Sequence, residues 1–192
     1  MRPGRLIAVV GPSGVGKDSV MQALAAASAR LVLARRVIDR PADAGGEDHV
    51  AATPEAFDAL VAEGALALWW RAHGQRYGIP RAVREDLAEG RDVLANLSRA
   101  ELGRAAEIFP RFRVLHLTAT PATLRARLAA RGREDAAGIE ARLARPAPPL
   151  PPGLPVIEIA NDGPLDRTVA TALARLDDDD TLPTRILIED HP

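Results

Sequence analysis

The chain has 192 residues, with 25 Lys and Arg against 26 Asp and Glu and a formal net charge of −1. That length suits one domain with a sizeable core, and the balanced charge supplies no overall field to draw it to nucleic acid or to a membrane surface. It has no cysteine, which excludes disulfides, thiolate metal sites and a cysteine nucleophile and is compatible with a cytoplasmic location. No apolar run approaches the ~20 residues of a membrane span, and the apolar stretch before Gly11 reads as a core strand rather than an export signal.

In chain order, the apolar run Leu6 to Val10 enters the loop Gly11, Pro12, Ser13, Gly14, Val15, Gly16, Lys17, Asp18, Ser19, and a helix-like pattern follows. Strand, glycine turn and helix in that order are what a phosphate-cradling loop requires. Gly11, Gly14 and Gly16 let the backbone turn tightly and aim several N–H groups at one point, and the helix adds the positive end of its dipole. Lys17 supplies a mobile cation for the outer phosphates, so a nucleoside triphosphate is the first ligand to consider. The place after the lysine, where a Ser or Thr hydroxyl normally reaches magnesium, holds Asp18, with Ser19 one residue on. Two readings of Asp18 stand: it positions hydrated magnesium, or it pairs with a nearby arginine.

Strands are expected at 6–10, 31–38, 65–70, 92–96, 112–118 and 154–160, and helices at 17–28, 54–63, 81–89, 98–107, 121–131, 138–145 and 164–176. This alternation predicts an α/β fold with a mainly parallel sheet. Thr53-Pro54 and Thr120-Pro121 read as N-caps followed by proline in the first helical position, and Gly64 and Gly90 sit where helices should stop. Residues 39–50 form a charged loop and 146–155 a proline-rich connection. A tail from Asp177 opens with four aspartates and is expected to be solvated and mobile. Arg125, Arg127, Arg131, Arg133, Arg142 and Arg145 form a basic cluster. The Arg131-Gly132-Arg133 step between two helices reads as a flap that closes over phosphates.

These motifs together resemble the guanylate-kinase-type nucleoside monophosphate kinases over residues 5–175. The resemblance is carried by the phosphate loop, Gly46 to His49, the Gly74-Gln75-Arg76-Tyr77-Gly78 element, Asp92-Val93-Leu94, Arg127 to Gly132, and Asn161-Asp162. It implies a P-loop nucleoside monophosphate kinase-like three-layer fold with a kinase domain at 1–176, an arginine-rich lid at about 131–145 and a tail at 177–192. The departures bear on the acceptor. Leu68 stands where the family has its guanine-reading glutamate, and Ile79 where it has a second base contact. Leucine offers no acceptor to guanine N–H groups, and an unmet buried charged hydrogen bond costs ~1.5–3 kcal/mol.

One branch of the fold is more similar: the ribose 1,5-bisphosphate phosphokinases of phosphonate degradation. They share the Gly16 to Ser19 ending, a loop like residues 40–49, a segment like Asn96 to Ala100 and the lid sequence of residues 131–134. The resemblance implies transfer of the ATP γ-phosphoryl group, with Mg2+, to the 1-phosphate of ribose 1,5-bisphosphate. The alternative is a nucleoside monophosphate kinase with altered base choice. Residues 11–19 would bind ATP, with Asp18 or Ser19 near magnesium. Lys17, Arg131, Arg133 and Arg142 would serve the transferring group. Arg36, Arg40, His49, Tyr77, Asn96, Ser98 and Arg99 would hold the sugar phosphate. A monomer or homodimer acting on a small molecule is expected, with neither nucleic acid nor membrane as partner. A binding module that has lost catalysis would need neither the intact loop nor the lid arginines.

Overall fold

A computed structural model describes residues 2–41, 48–132, 135–144 and 148–181. The chain runs through β1 (Leu6–Val10), α1 (Lys17–Ala27), β2 (Leu31–Leu33), β3 (Val37–Ile38), β4 (Val50–Ala51), α2 (Pro54–Ala62), β5 (Leu66–Ala72) and β6 (Gln75–Pro80). It continues through α3 (Val83–Ala88), β7 (Asp92–Asn96), a 3-10 turn at Arg99–Glu101, α4 (Leu102–Ile108), β8 (Phe112–Thr118), α5 (Pro121–Ala130), α6 (Ala136–Leu143), β9 (Val156–Ala160) and α7 (Leu165–Thr181). Five parallel strands form the central sheet in the order β2-β7-β1-β8-β9.

β1 is buried along its whole length because the sheet is covered on both faces. Leu6, Ala8 and Val10 face a core shared with Leu68, Trp70 and Ile79. Ile7 and Val9 face the opposite core, with Val20 and Leu24 of α1 and Ala172 of α7. The period-two alternation of a single strand thus serves both outer layers, and the three-layer α/β expectation is met.

The main difference from the expected elements lies at 31–38, which does not form one strand. It breaks into β2, in the central sheet, and β3, in a second sheet ordered β4-β3-β6-β5. The crossing at 34–36 delivers Arg36 to the rim of the central sheet. β6 takes in Gln75 to Gly78 of the Gly74–Gly78 element and was not expected as a strand, because Gly78 and Pro80 weaken the pattern. It is held by antiparallel pairing with β5 through a tight turn at His73 (φ 52°) and Gly74 (φ 75°).

Helix ends follow local chemistry. The Thr53 hydroxyl accepts from the Ala56 N–H at 3.2 Å and the Thr120 hydroxyl from the Thr123 N–H at 3.3 Å. α6 starts at Ala136 rather than 138, because the Asp135 carboxylate caps it by accepting from the Gly138 N–H at 2.8 Å. α7 runs through the aspartates to Thr181, past the boundary expected at 176. Acidic residues oppose the dipole at a helix C-terminus, yet the buried face of Val169, Ala172 and Leu176 docks the helix, and Asp177 and Asp178 project into solvent. Arg133, Arg145, residues 42–47 of the charged loop and residues 182–192 of the tail lie outside the described residues.

Candidate active site

The loop between β1 and α1 leaves the N-terminus of α1 without a side-chain cap. The first N–H groups of the helix are therefore open to an anion. Gly16 occupies the N-cap with φ 91°, and a Cβ there would meet Asn161 Nδ2 at 3.0 Å. Side chains are excluded both by the backbone conformation and by the neighbour that holds the loop. Asn161 Nδ2 donates to the Val15 carbonyl at 2.7 Å, Arg127 donates to the same carbonyl at 3.1 Å, and the Thr168 hydroxyl donates to Asn161 Oδ1 at 2.7 Å. The phosphate loop is thus pinned from the end of β9 and from α5. Asn161→Ala is expected to cost ~1–3 kcal/mol of stability and to weaken the binding of a phosphate-bearing ligand at the loop. Unchanged affinity for such a ligand in titration calorimetry would show that Arg127 alone holds the loop.

Lys17 Nζ lies back on its own loop, donating to the carbonyls of Gly11 at 3.0 Å and Pro12 at 3.3 Å. Burial pushes its pKa below the ordinary lysine value. Asp18 opposes the shift, and the guanidiniums of Arg36, Arg131 and Arg99 add to it. Three guanidiniums within electrostatic reach of Lys17 describe a site built for a polyanion.

Two adjoining cavities open in front of Lys17. One, of about 200 Å3, brings together Ser13, Lys17, Asp18, Arg36, Arg40 and Arg131, with Tyr77 and Asn96 also on its wall. The other, of about 580 Å3, is lined among others by Lys17, Arg36, Tyr77, Asn96, Ser98 and Arg99. Arg36 lies over the Tyr77 ring (4.9 Å) and the Trp70 ring (5.7 Å) and donates to the Asn96 carbonyl at 2.9 Å. Trp70 and Tyr77 stack at 5.5 Å and 14°, and the Tyr77 hydroxyl donates to Gln75 Oε1 at 3.1 Å. Arg36 therefore turns into the cavity, while the next residue, Val37, is buried in β3.

A third cavity, of about 350 Å3, lies on the other side of the loop and includes Ser19, Arg127, Arg131, Asn161 and Leu165. The structure separates the two magnesium candidates: Asp18 faces the cavity of Arg36 and Arg40, and Ser19 the cavity of Arg127 and Asn161. Arg131 lines both. Arg142 donates to the Ser13 hydroxyl at 3.2 Å, which ties α6 to the phosphate loop. Arg125 is committed to Glu140 at 2.5 and 3.1 Å and joins α5 to α6.

Among the expected site residues that are described, His49 is the one placed apart. It is buried before β4, with its carbonyl 3.4 Å from an Arg35 nitrogen, and lines none of these cavities. Trp70 and His73 lie on the wall of the larger cavity; from the sequence, one of Trp69 and Trp70 is expected in the core and the other beside the pocket, and His73 reads as structural or substrate-adjacent. The alternation of the two tryptophans along β5 was the available signal. Trp70 is both core and cavity wall, and Trp69 packs edge-on against Phe57 at 6.3 Å.

Leu68 and Ile79 are register partners across β5 and β6, 2% and 0% exposed, and sit in the core beneath the site. Both side chains are closed in by packing. A family model described as an AAA domain matches residues 6–146. The ribose 1,5-bisphosphate phosphokinase PhnN of Ruegeria sp. is 55% identical over 173 residues, 89% of this chain and 90% of that protein. The chain is an AAA-domain protein of the ribose 1,5-bisphosphate phosphokinase family. The protein of the same name from Pseudomonas fluorescens is 49% identical over 91% of this chain and 95% of its own length. In fold, a guanylate kinase from Anaplasma phagocytophilum matches with a TM-score of 0.69 at 18% identity, covering 96% of this chain and 90% of that one. The guanylate-kinase-like architecture is therefore shared, while sequence places the chain in the sugar-phosphate family.

Proposed function

We propose that the protein transfers the γ-phosphoryl group of ATP to the 1-phosphate of ribose 1,5-bisphosphate, giving 5-phosphoribosyl 1-diphosphate and ADP. A Pγ–O bond to the acceptor phosphate forms as the bond to the ADP β-phosphate breaks. The observation that carries this reading is the larger cavity, where Lys17, Arg36 and Arg99 surround Asn96, Ser98 and Tyr77 while Leu68 and Ile79 leave no base reader. Cations for two phosphates and neutral polar groups for a sugar are present together.

The acceptor is a phosphate oxygen already largely ionised at neutral pH, so no general base is required. The chemistry reduces to alignment and charge neutralisation. The loop amides and Lys17 hold the outer phosphates of ATP. Arg131 and Arg142 serve the transferring group, the role also expected of Arg133. Arg36, Arg40, Tyr77, Asn96, Ser98 and Arg99 hold the acceptor. Among the described residues no group of three or more His, Cys, Asp and Glu could hold a metal ion. The single carboxylate of Asp18 beside the phosphate loop fits Mg2+, which is held largely by nucleotide phosphates and water. When bound, magnesium neutralises charge on the β- and γ-phosphates. Among the described residues no helix is long and apolar enough to cross a membrane, and we place the reaction in the cytoplasm with its soluble substrates.

Purified protein incubated with ATP, magnesium and either ribose 1,5-bisphosphate or GMP, and followed by phosphorus NMR, tests the assignment. A new diphosphate signal with the sugar alone is expected. Transfer to GMP instead would make the chain a divergent nucleotide kinase.

A further inference from the structure

Arg99 reaches the larger cavity from the 3-10 turn, and its two terminal nitrogens are already engaged. Nη1 donates to the Pro148 carbonyl at 2.8 Å, and Nη2 lies 3.0 Å from His116 Nε2. Arginine only donates, so His116 Nε2 must present its lone pair. A neutral imidazole with its proton on Nδ1 satisfies that demand. The Nδ1 proton then faces Glu158 Oε2 at 3.2 Å. His116 on β8 and Glu158 on β9 are register partners, so the sheet itself sets this alignment. The His116 side chain is 14% exposed and the Glu158 side chain 65%. Neither lines the cavity that Arg99 enters.

We infer that His116 and Glu158 are positioning residues that hold the Arg99 fork in the acceptor cavity, and that protonation of His116 releases it. The inference rests on the reading of that cavity as the acceptor site. A protonated imidazole would set N–H against N–H and place two positive charges side by side. Burial pushes the His116 pKa below its ordinary value, the Arg99 charge pushes the same way, and Glu158 opposes both. Arg99 from the 3-10 turn and Glu158 from β9 are the charged groups acting on the ring among the described residues. The imidazole is therefore neutral at pH 7, and the anchor is lost toward acid.

The test compares His116→Leu, His116→Gln and Glu158→Gln with the parent, measuring KM for ribose 1,5-bisphosphate and for ATP between about pH 5 and 8. His116→Leu is expected to raise the acceptor KM by about 10-fold with the ATP KM nearly unchanged. His116→Gln should recover most of that loss, since its Oε1 accepts from Arg99 while its amide N–H donates to Glu158. The acceptor phosphate titrates near pH 6 in every variant. The decisive quantity is thus the extra acid rise in acceptor KM that the parent shows and His116→Gln lacks. In Glu158→Gln, an exposed position that folding should tolerate, that rise moves to lower pH. Independently of turnover, long-range 1H–15N correlation of the His116 ring should show the proton on Nδ1. A proton on Nε2, parallel rises in both KM values, or superimposable pH profiles for parent and His116→Gln would overturn the inference. If the parent fails to phosphorylate ribose 1,5-bisphosphate at all, the proposed function fails, and the ring tautomer and its response to Glu158→Gln still decide whether the anchor exists.

Discussion

Lys17→Ala is expected to lower kcat by roughly 10²–10⁴-fold, about 3–5 kcal/mol of transition-state stabilisation, without lowering the melting temperature. The two halves of the prediction have one origin. The ammonium sits beside Arg36, Arg131 and Arg99 and is partly withdrawn from water, and its pKa is pushed below 10.5 by burial and by those charges despite Asp18. The folded protein therefore binds fewer protons at this site than the unfolded chain between the lowered value and 10.5. Stability rises with pH through that window, so at neutral pH the charged lysine opposes folding. Removing it relieves like-charge repulsion and leaves the loop glycines and the α1 core of Val20 and Leu24 untouched. Bound ATP would reverse the balance, since its phosphates would bring negative charge among these cations. Single-turnover phosphoryl transfer and a thermal melt on the same preparation check both halves. Near-normal turnover would remove Lys17 from the mechanism, and a collapse of the melt would show that its bonds to the Gly11 and Pro12 carbonyls build the loop.

The parts of this site that were legible in the sequence are those made by contiguous residues. Leu6 through Ser19 carries its own instructions: five apolar residues for a strand covered on both faces, glycines for the turn, and an uncapped helix start for the phosphates. The acceptor half was legible only in outline. β3 and β4 are two residues long and exist because β6 pairs with β3, and no propensity in Val37-Ile38 or Val50-Ala51 announces that. The break after Leu33 decides that Arg36, and not residue 37, turns into the cleft. Leu68 and Ile79 stand out in the sequence as apolar residues, yet only the register of β5 on β6 shows that they are paired within one core. Arg99, His116 and Glu158 come from three elements and meet only through the alignment of β8 with β9. Arg127 and Asn161 converge on the Val15 carbonyl from positions 112 and 146 residues away in the chain. Each of these depends on long-range pairing, for which a single sequence has no local signal.

Asp92→Ala is expected to cost about 3–5 kcal/mol of stability while leaving kcat at permissive temperature unchanged. Asp92 begins β7, at the end of the sheet away from the phosphate loop. Its carboxylate accepts from the Arg5 backbone N–H at 2.7 Å and from Arg5 Nε and Nη2 at 3.1 and 2.6 Å. Both residues are 2% exposed, and the remaining end of the guanidinium donates to the Leu176 carbonyl at 2.9 Å, tying β1, β7 and α7 at one point. Truncation to alanine strands a buried cation and a buried backbone donor together, which is why the loss exceeds the ordinary worth of an ion pair. For a chain of this size the melting temperature should fall by roughly 6–20 °C. An Arg5→Met, Asp92→Leu double variant should recover the part due to the stranded charge and retain a deficit of about 1–3 kcal/mol from the Arg5 N–H. Urea unfolding of the parent, the single and the double variants separates the two contributions. A single-variant loss under about 1 kcal/mol would mean that the guanidinium escapes to water when its partner is removed, and that α7 is held by its apolar face alone.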